Sequence, residues 1–342
     1  LIARFVQAIT DVFPGAVLHW EDFGVGNAHR NLARYRQQLP SFNDDIQGTR
    51  GVACAVVAAA SQGAGVPLAE HRIVVFGAGT AGCGIADGLV RLLQRSGLSA
   101  EEARRRLWLI DRYGLVHTGQ QQDQIPEMAR ALARPVAELE AFSRDGSGAI
   151  GLLEVVQRVQ PTVLIGTSTV AGAFSQQVVE HMAAAVARPI ILPLSNPTRL
   201  AEAQPADLLR WSEGRALVAT GSPFAPVEVG GQLRRIGQCN NCFLFPGLGF
   251  ACVAVGASEV SEAMIDAGLE ALARLIPAWS DPEAPLMPEL TEVAVVSTAV
   301  AEAVALAAVE AGVARHASTA EQALACLERA RWHPTYRAVV GA

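Results

Sequence analysis

The stretch Ile73-Val74-Val75-Phe76-Gly77-Ala78-Gly79-Thr80-Ala81-Gly82 decides the fold. Four consecutive apolar residues suit a strand buried on both faces, and Ile85, Leu89 and Leu92 then recur at the spacing of one helix face. Between them lies Gly-x-Gly-x-x-Gly. In such a strand–loop–helix unit the first glycine permits the tight turn, the second lets backbone approach a pyrophosphate, and the third lets helix and strand pack closely. Unpaired N–H groups at the helix start favour the anion. Gly77, Ala78, Gly79, Thr80, Ala81 and Gly82 are therefore the expected dinucleotide cradle. The alternative, an ordinary glycine turn, leaves the flanking strand and helix unexplained.

Downstream, short apolar runs alternate with helical periods. Arg72–Phe76, Leu107–Ile110, Thr162–Ile165, Pro189–Leu194 and Ala216–Ala219 read as strands with helices between them, which predicts an α/β chain built on a doubly wound parallel Rossmann-type sheet. Ligands collect beyond the carboxyl ends of such strands, so Asp111 is expected at the ribose hydroxyls and Gly166-Thr167-Ser168 at a third contact. Asp111 favours NAD by repelling a 2′-phosphate; Arg112 beside it can pair with that phosphate and keeps NADP open. NAD is the expected cofactor. After Asn241 helices are expected over Ala251–Gly268, Glu270–Leu275 and Thr291–Val313.

Upstream of the glycine loop come two acidic clusters, Trp20-Glu21-Asp22-Phe23 and Asn43-Asp44-Asp45-Ile46-Gln47-Gly48-Thr49. Four carboxylates within 25 positions suit a hard divalent cation that takes oxygen ligands. The segment 1–43 reads as a helix to about Phe13, a Pro14-Gly15 turn, a strand Ala16–Trp20 and a helix near Ala28–Gln38, followed by an alanine-rich helix Thr49 to about Gln62. Asn43 and Asp44 also suit an N-cap, a role compatible with metal binding by Asp45.

Composition bounds the rest. With 342 residues, 51% hydrophobic and 18% charged, the chain can bury a sizeable core. A net charge of −6 argues against nucleic acid, and Arg104-Arg105-Arg106 reads as a solvated face. No membrane segment is expected, because Ser297, Thr298 and Glu302 interrupt Val293–Val309. The cysteines, including Cys239 and Cys242, lack framework or zinc spacing, which predicts a reducing, cytoplasmic setting. All 27 basic residues are arginine. Leu1 falls inside an apparent amphipathic helix carrying Phe5, Val6 and Ile9, so an upstream segment is expected.

Six motifs together resemble the malic enzyme family: WEDFGVGNA at 20–28, FNDDIQGT at 42–49, GAGTAGCGIA at 77–86, SNPT at 195–198, GSPF at 221–224 and Asn240-Asn241. The resemblance implies oxidative decarboxylation of L-malate to pyruvate and CO2 with reduction of NAD(P). It implies Glu21, Asp22 and Asp45 as ligands of Mg2+ or Mn2+, and Asp44 as the partner of a general-base lysine. It further implies that Asn196, Asn240 and Asn241 contact substrate, with Asn196 open to the nicotinamide amide. The family's lysine and acid tyrosine match no residue here, and Tyr35, Tyr113 and Tyr336 do not stand at that position.

Residues 1–43 are expected to end a malate- and metal-binding domain, 44–240 to form the nucleotide domain, and 241–342 to complete the first domain and carry a tail. The family suggests a homo-oligomer, a dimer or tetramer. Two rivals stay open: malolactic conversion of malate to lactate, and a non-catalytic nucleotide-binding module favoured by the missing lysine.

Overall fold

Strands that read as unbroken apolar runs form the centre of the computed structural model, which describes residues 1–333 and Tyr336. A parallel strand pair β1 (Leu18–Trp20) and β2 (Ser41–Asn43) precedes the main sheet. That sheet contains β3 (Ile73–Phe76), β4 (Leu107–Asp111), β5 (Gly114–Leu115), β6 (Val163–Gly166), β7 (Ile190–Pro193) and β8 (Leu217–Thr220). A hairpin of β9 (Val227–Val229) and β10 (Gln232–Arg234) leads to β11 (Gly237–Gln238), which joins the main sheet at its edge. The seven strands run in the order β11-β8-β7-β6-β3-β4-β5, all parallel except the β4–β5 pair. The chain starts at β3, winds one way to β4 and β5, then crosses to β6 on the other side. The topological switch point therefore lies between β3 and β6, where a doubly wound sheet opens its ligand crevice.

The helices are α1 (Ile2–Val12), α2 (Val25–Tyr35), α3 (Thr49–Ala64), α4 (Thr80–Arg95), α5 (Ala100–Arg105), α6 (Leu152–Val159), α7 (Gln176–Ala185), α8 (Pro205–Trp211), α9 (Phe245–Ala254), α10 (Glu262–Leu275), α11 (Val293–Glu310) and α12 (Ala320–Ala330). Strand side chains alternate between two cores, as the period of two requires. Val74, Leu164 and Ile191 meet α6, α7 and α8 on one face. Ile73, Val75, Val163 and Ile165 join α3, α4 and the helices α9–α12 on the other. Val6, Trp20, Tyr35 and Leu39 form a small separate cluster around β1.

Several expected boundaries change. The run Ala251–Gly268, read as one helix, is two: α9 stops before Gly256, whose φ of +59° only glycine adopts readily, and Ser261 caps α10 by accepting from the Met264 N–H. Thr291–Val313 shortens to α11. Ala16–Trp20 shortens to β1, and the helix near Ala28–Gln38 begins earlier, at Val25. The strands β2, β5, β9, β10 and β11 had no sequence expectation.

One finding departs from the membrane reading. Leu290–Glu310, with a mean hydropathy of 1.8, is long and apolar enough to cross a bilayer. The Ser and Thr residues did not dilute it sufficiently. In this fold its inner face packs instead, with Val296, Val300 and Val304 buried in the core shared with α9 and α10.

At the amino ends of β3 and β6, His71 is buried and its Nδ1 lies 2.8 Å from Thr162 Oγ1. Burial, aided by the Arg72 charge, pushes its pKa down to about 4. The folded-state value lies below the unfolded one, so this stability is present above pH ~6.5 and is lost as pH falls toward 4. In urea titrations, the stability gap between the wild type and His71→Gln should narrow by about 2 kcal/mol from pH 7 to pH 4.5. A constant gap would show that His71 is not held neutral.

Candidate functional site

The glycine loop is built on contacts that leave no room for side chains. Gly77 has φ +118°, and a Cβ there would lie 2.5 Å from the Thr167 carbonyl carbon. A Cβ on Gly82 would overlap the Gly77 carbonyl oxygen. The Thr167 hydroxyl donates to that same oxygen at 2.9 Å, tying the end of β6 to the loop after β3. Gly79 differs: it is exposed, it precedes the first turn of α4, and nothing lies within 4 Å of the Cβ position. An open cradle at a helix N-terminus is what an incoming pyrophosphate needs.

Asp111 ends β4 beside this loop, where the Gly77 N–H donates to the Ile110 carbonyl at 2.8 Å. Arg112 is exposed, and its guanidinium lies 4.8 Å from the Tyr113 ring centroid. That stacking uses the cation locally, and no carboxylate stands within salt-bridge distance of it among the described residues. Asn196 is exposed at the end of the β7 loop, on the same carboxyl edge as Gly166 and Thr167.

The second acidic cluster forms a single π-helical turn, Asp44–Gly48, between β2 and α3. Asn43 caps it, its side-chain oxygen accepting from the Ile46 N–H at 2.9 Å. The capping role thus falls to Asn43, leaving both aspartates free of it. The turn packs on the nucleotide helix: the Ile46 carbonyl oxygen sits 3.2 Å from a Cβ placed on Gly84. Glycine at 84 is what lets the acidic turn come so close to α4.

Asp44 is buried and Asn241 holds it, the Nδ2 donating to Asp44 Oδ2 at 2.7 Å and to Thr49 Oγ1 at 3.1 Å. The other carboxylate oxygen, Oδ1, is buried without a hydrogen-bond partner. His19 stacks on Phe42 at 4.5 Å and sets Nε2 3.7 Å from that oxygen. The contact is long for a hydrogen bond and acts mainly through charge. Facing Asp44 raises the imidazole's pKa, against burial; Glu21 and Asp45 add to the rise.

Asn240, the other paired asparagine, does not reach Asp44. Its side-chain oxygen accepts from the Cys242 N–H at 3.0 Å and closes its own turn. Cys239 is pushed to about 12 by burial, and all six cysteines are free.

The three expected metal ligands are brought together in part. The Asp22 N–H donates to Asp45 Oδ2 at 3.1 Å, with Asp22 at φ +58°, while Glu21 and Asp22 are exposed. Burial raises the Asp45 pKa, and the neighbouring Asp22 and Asp44 charges raise it further. Oxygen-only donors and unneutralised negative charge fit a hard cation. A closed three-ligand cage is not formed: among the described residues no group of three His, Cys, Asp or Glu side chains is drawn together.

Comparison with known proteins decides the family. The model described as "Malic enzyme, NAD binding domain" matches residues 46–309, most of the chain. The chain belongs to the malic enzyme family. It is 45% identical over 99% of its length to NAD-dependent malic enzyme 3 of Bacillus subtilis, and 42% identical over 98% to the NAD-dependent malic enzyme of Shewanella frigidimarina. In both cases it spans 59% of the relative's length. The malic enzyme structures from Entamoeba histolytica and Pyrococcus horikoshii share its fold, with TM-scores of 0.75 and 0.73 at 24% identity, covering 96% of this chain and 61% and 69% of theirs.

Asn241→Asp would set a carboxylate against Asp44 in place of a donor. The variant should lose about 2 kcal/mol of stability at pH 7, as expected for a broken hydrogen bond to a buried charge. Protonating either carboxyl removes the repulsion, so the loss should shrink as the pH falls through the ordinary carboxylate range. Denaturant titration at pH 7 and pH 4 checks this. Equal losses at both would mean that the Asn241–Asp44 contact is not electrostatic.

Proposed function

We propose that this chain binds NAD at the glycine loop and takes part in the oxidative decarboxylation of L-malate to pyruvate and CO2. The observation that supports the reading is the packing of the acidic turn Asp44–Gly48 onto α4 at Gly84, on the helix that the open Gly79 loop begins. The names of the curated relatives support malic rather than malolactic turnover. Residues 1–43 would end the malate- and metal-binding domain, 44–240 form the nucleotide domain, and 241–342 return to complete the first. A homo-oligomer is proposed, and six unpaired cysteines support a reducing, cytoplasmic setting.

In this reading Gly77–Gly82 and the start of α4 hold the pyrophosphate, Asp111 the adenosine ribose, and Gly166, Thr167 and Asn196 border the nicotinamide half. NAD supplies the hydride acceptor. Glu21, Asp22 and Asp45 would hold Mg2+ or Mn2+, which when bound supplies Lewis acidity at the substrate's oxygens. Asp44, held in a buried position by Asn241, offers its unpartnered Oδ1 to a cationic proton carrier. Asn241 holds Asp44, and Asn240, whose own turn uses only its side-chain oxygen, would offer its amide N–H groups to a malate carboxylate. A second reading, nucleotide binding without turnover, is favoured by the absence of lysine from all 342 residues.

Calorimetric titration of the chain with NAD, alone and with L-malate plus Mn2+, separates the two. Joint addition should tighten NAD binding several-fold, with malate-dependent growth of the reduced-nicotinamide absorbance when the reaction proceeds. Unchanged NAD affinity and no absorbance would leave the nucleotide-binding module standing. Lactate formed without net NADH would replace the malic reading with the malolactic one.

A further inference from the structure

Glu202 is the most completely enclosed carboxylate of the described residues that line this edge of the sheet, with 0% of its surface exposed. Burying an ionisable group without compensation is costly, so its partners say what it is for. Its Oε1 accepts from the Ser168 N–H at 2.8 Å, the Ser168 hydroxyl at 2.9 Å and the Ser195 hydroxyl at 2.5 Å. Its Oε2 accepts from the Ser195 N–H at 3.3 Å. Among the described residues no arginine or histidine joins the set. Four neutral donors, two from the loop after β6 and two from the loop after β7, converge on one carboxylate.

Each hydroxyl also passes the constraint on. Ser195 Oγ accepts from the Thr169 N–H at 2.8 Å, and Ser168 Oγ accepts from the Val170 N–H at 3.1 Å. Thr169 is held at φ +60°, a left-handed conformation that a β-branched residue adopts only when its surroundings impose it. Space for the carboxylate comes from Gly166, where a Cβ would overlap Glu202. Glu202 therefore fixes the spacing between Thr167, which hydrogen-bonds the glycine loop, and Asn196, which follows Ser195 directly.

We propose that Glu202 is a positioning residue that sets the nicotinamide half of the nucleotide site by clamping the β6 and β7 loops to one anchor. The proposal rests on the dinucleotide reading above. In a doubly wound sheet the two mononucleotide halves lie on opposite sides of the switch point. Here β3 and β4 serve the adenosine half, and β6 and β7 the other. Loosening the clamp should therefore act on one half of the ligand and spare the other, whereas a merely structural role would weaken both alike.

The test compares NAD with ADP as ligands for the intact chain, by calorimetry, in wild type, Glu202→Gln and Ser195→Ala, with circular dichroism and thermal melting alongside. Glu202→Gln keeps the shape but sets an amide against four donors. It should weaken NAD about tenfold, the scale of one hydrogen bond to a charged group, while changing ADP less than about twofold. Ser195→Ala removes only the hydroxyl that reaches Thr169 and should shift NAD in the same direction by less. If Glu202→Gln does not fold, the Ser195→Ala comparison carries the decision. Equal loss of NAD and ADP, or NAD affinity unchanged in both variants, would overturn the proposal. A wild type that binds ADP but not NAD would also overturn it, and one that binds neither would bring down the dinucleotide reading itself.

Discussion

The contact on which the structure depends is the interlock of Gly77, Gly82 and Thr167. A strand, its following helix and the neighbouring strand meet there with backbone against backbone, closer than any side chain allows. Because β3 and β6 flank the switch point, this interlock sets the floor of the ligand crevice. Gly79, on the rim of the same loop, is released from it and faces open space. Tight packing at two glycines and vacancy at the third is how one short motif both holds the fold and leaves a binding surface.

A second coupling joins this crevice to the carboxylates. The Asp44–Gly48 turn rests on α4 at Gly84, and α3 continues from it into the core shared by the C-terminal helices. Arg50 on α3 is buried between Asp87 of α4 and Glu262 of α10, at 3.3 and 2.5 Å. Glu262 also accepts from Arg36, just beyond α2, at 2.9 Å. The acidic turn, the nucleotide helix and the C-terminal helices are thus connected by packing and by one ion-pair chain. A paired guanidinium of this kind fixes geometry more than it adds stability, because desolvation offsets much of the attraction.

The central strands and the glycine loop were legible because strands buried on both faces read as apolar runs, and the loop's glycines fall at positions where only glycine fits. The edge strands were not. Gly237–Gln238 pairs with β8 through backbone alone and carries no pattern that its side chains could reveal. Likewise, β1 and β2 form a strand pair only because residues 23 apart lie side by side, which no local signal announces. In the site, Asn240 and Asn241 are chemically identical neighbours, and only geometry shows one closing its own turn while the other holds Asp44. His19 and Glu202 were overlooked for a related reason: a lone histidine in a strand and a lone glutamate between alanines acquire meaning from partners far along the chain. The converse also holds, since Glu21, Asp22 and Asp45 form a compelling sequence pattern that the fold gathers only in part.

The central claim is that the vacancy at Gly79 is the seat of a dinucleotide's phosphates. NAD affinity of Gly79→Val, measured by calorimetry beside a thermal melt of the same protein, tests it most directly. The account predicts that the melt changes little, because nothing lies within 4 Å of the Cβ position, while NAD binding is lost. Full NAD affinity in a folded Gly79→Val protein would contradict it.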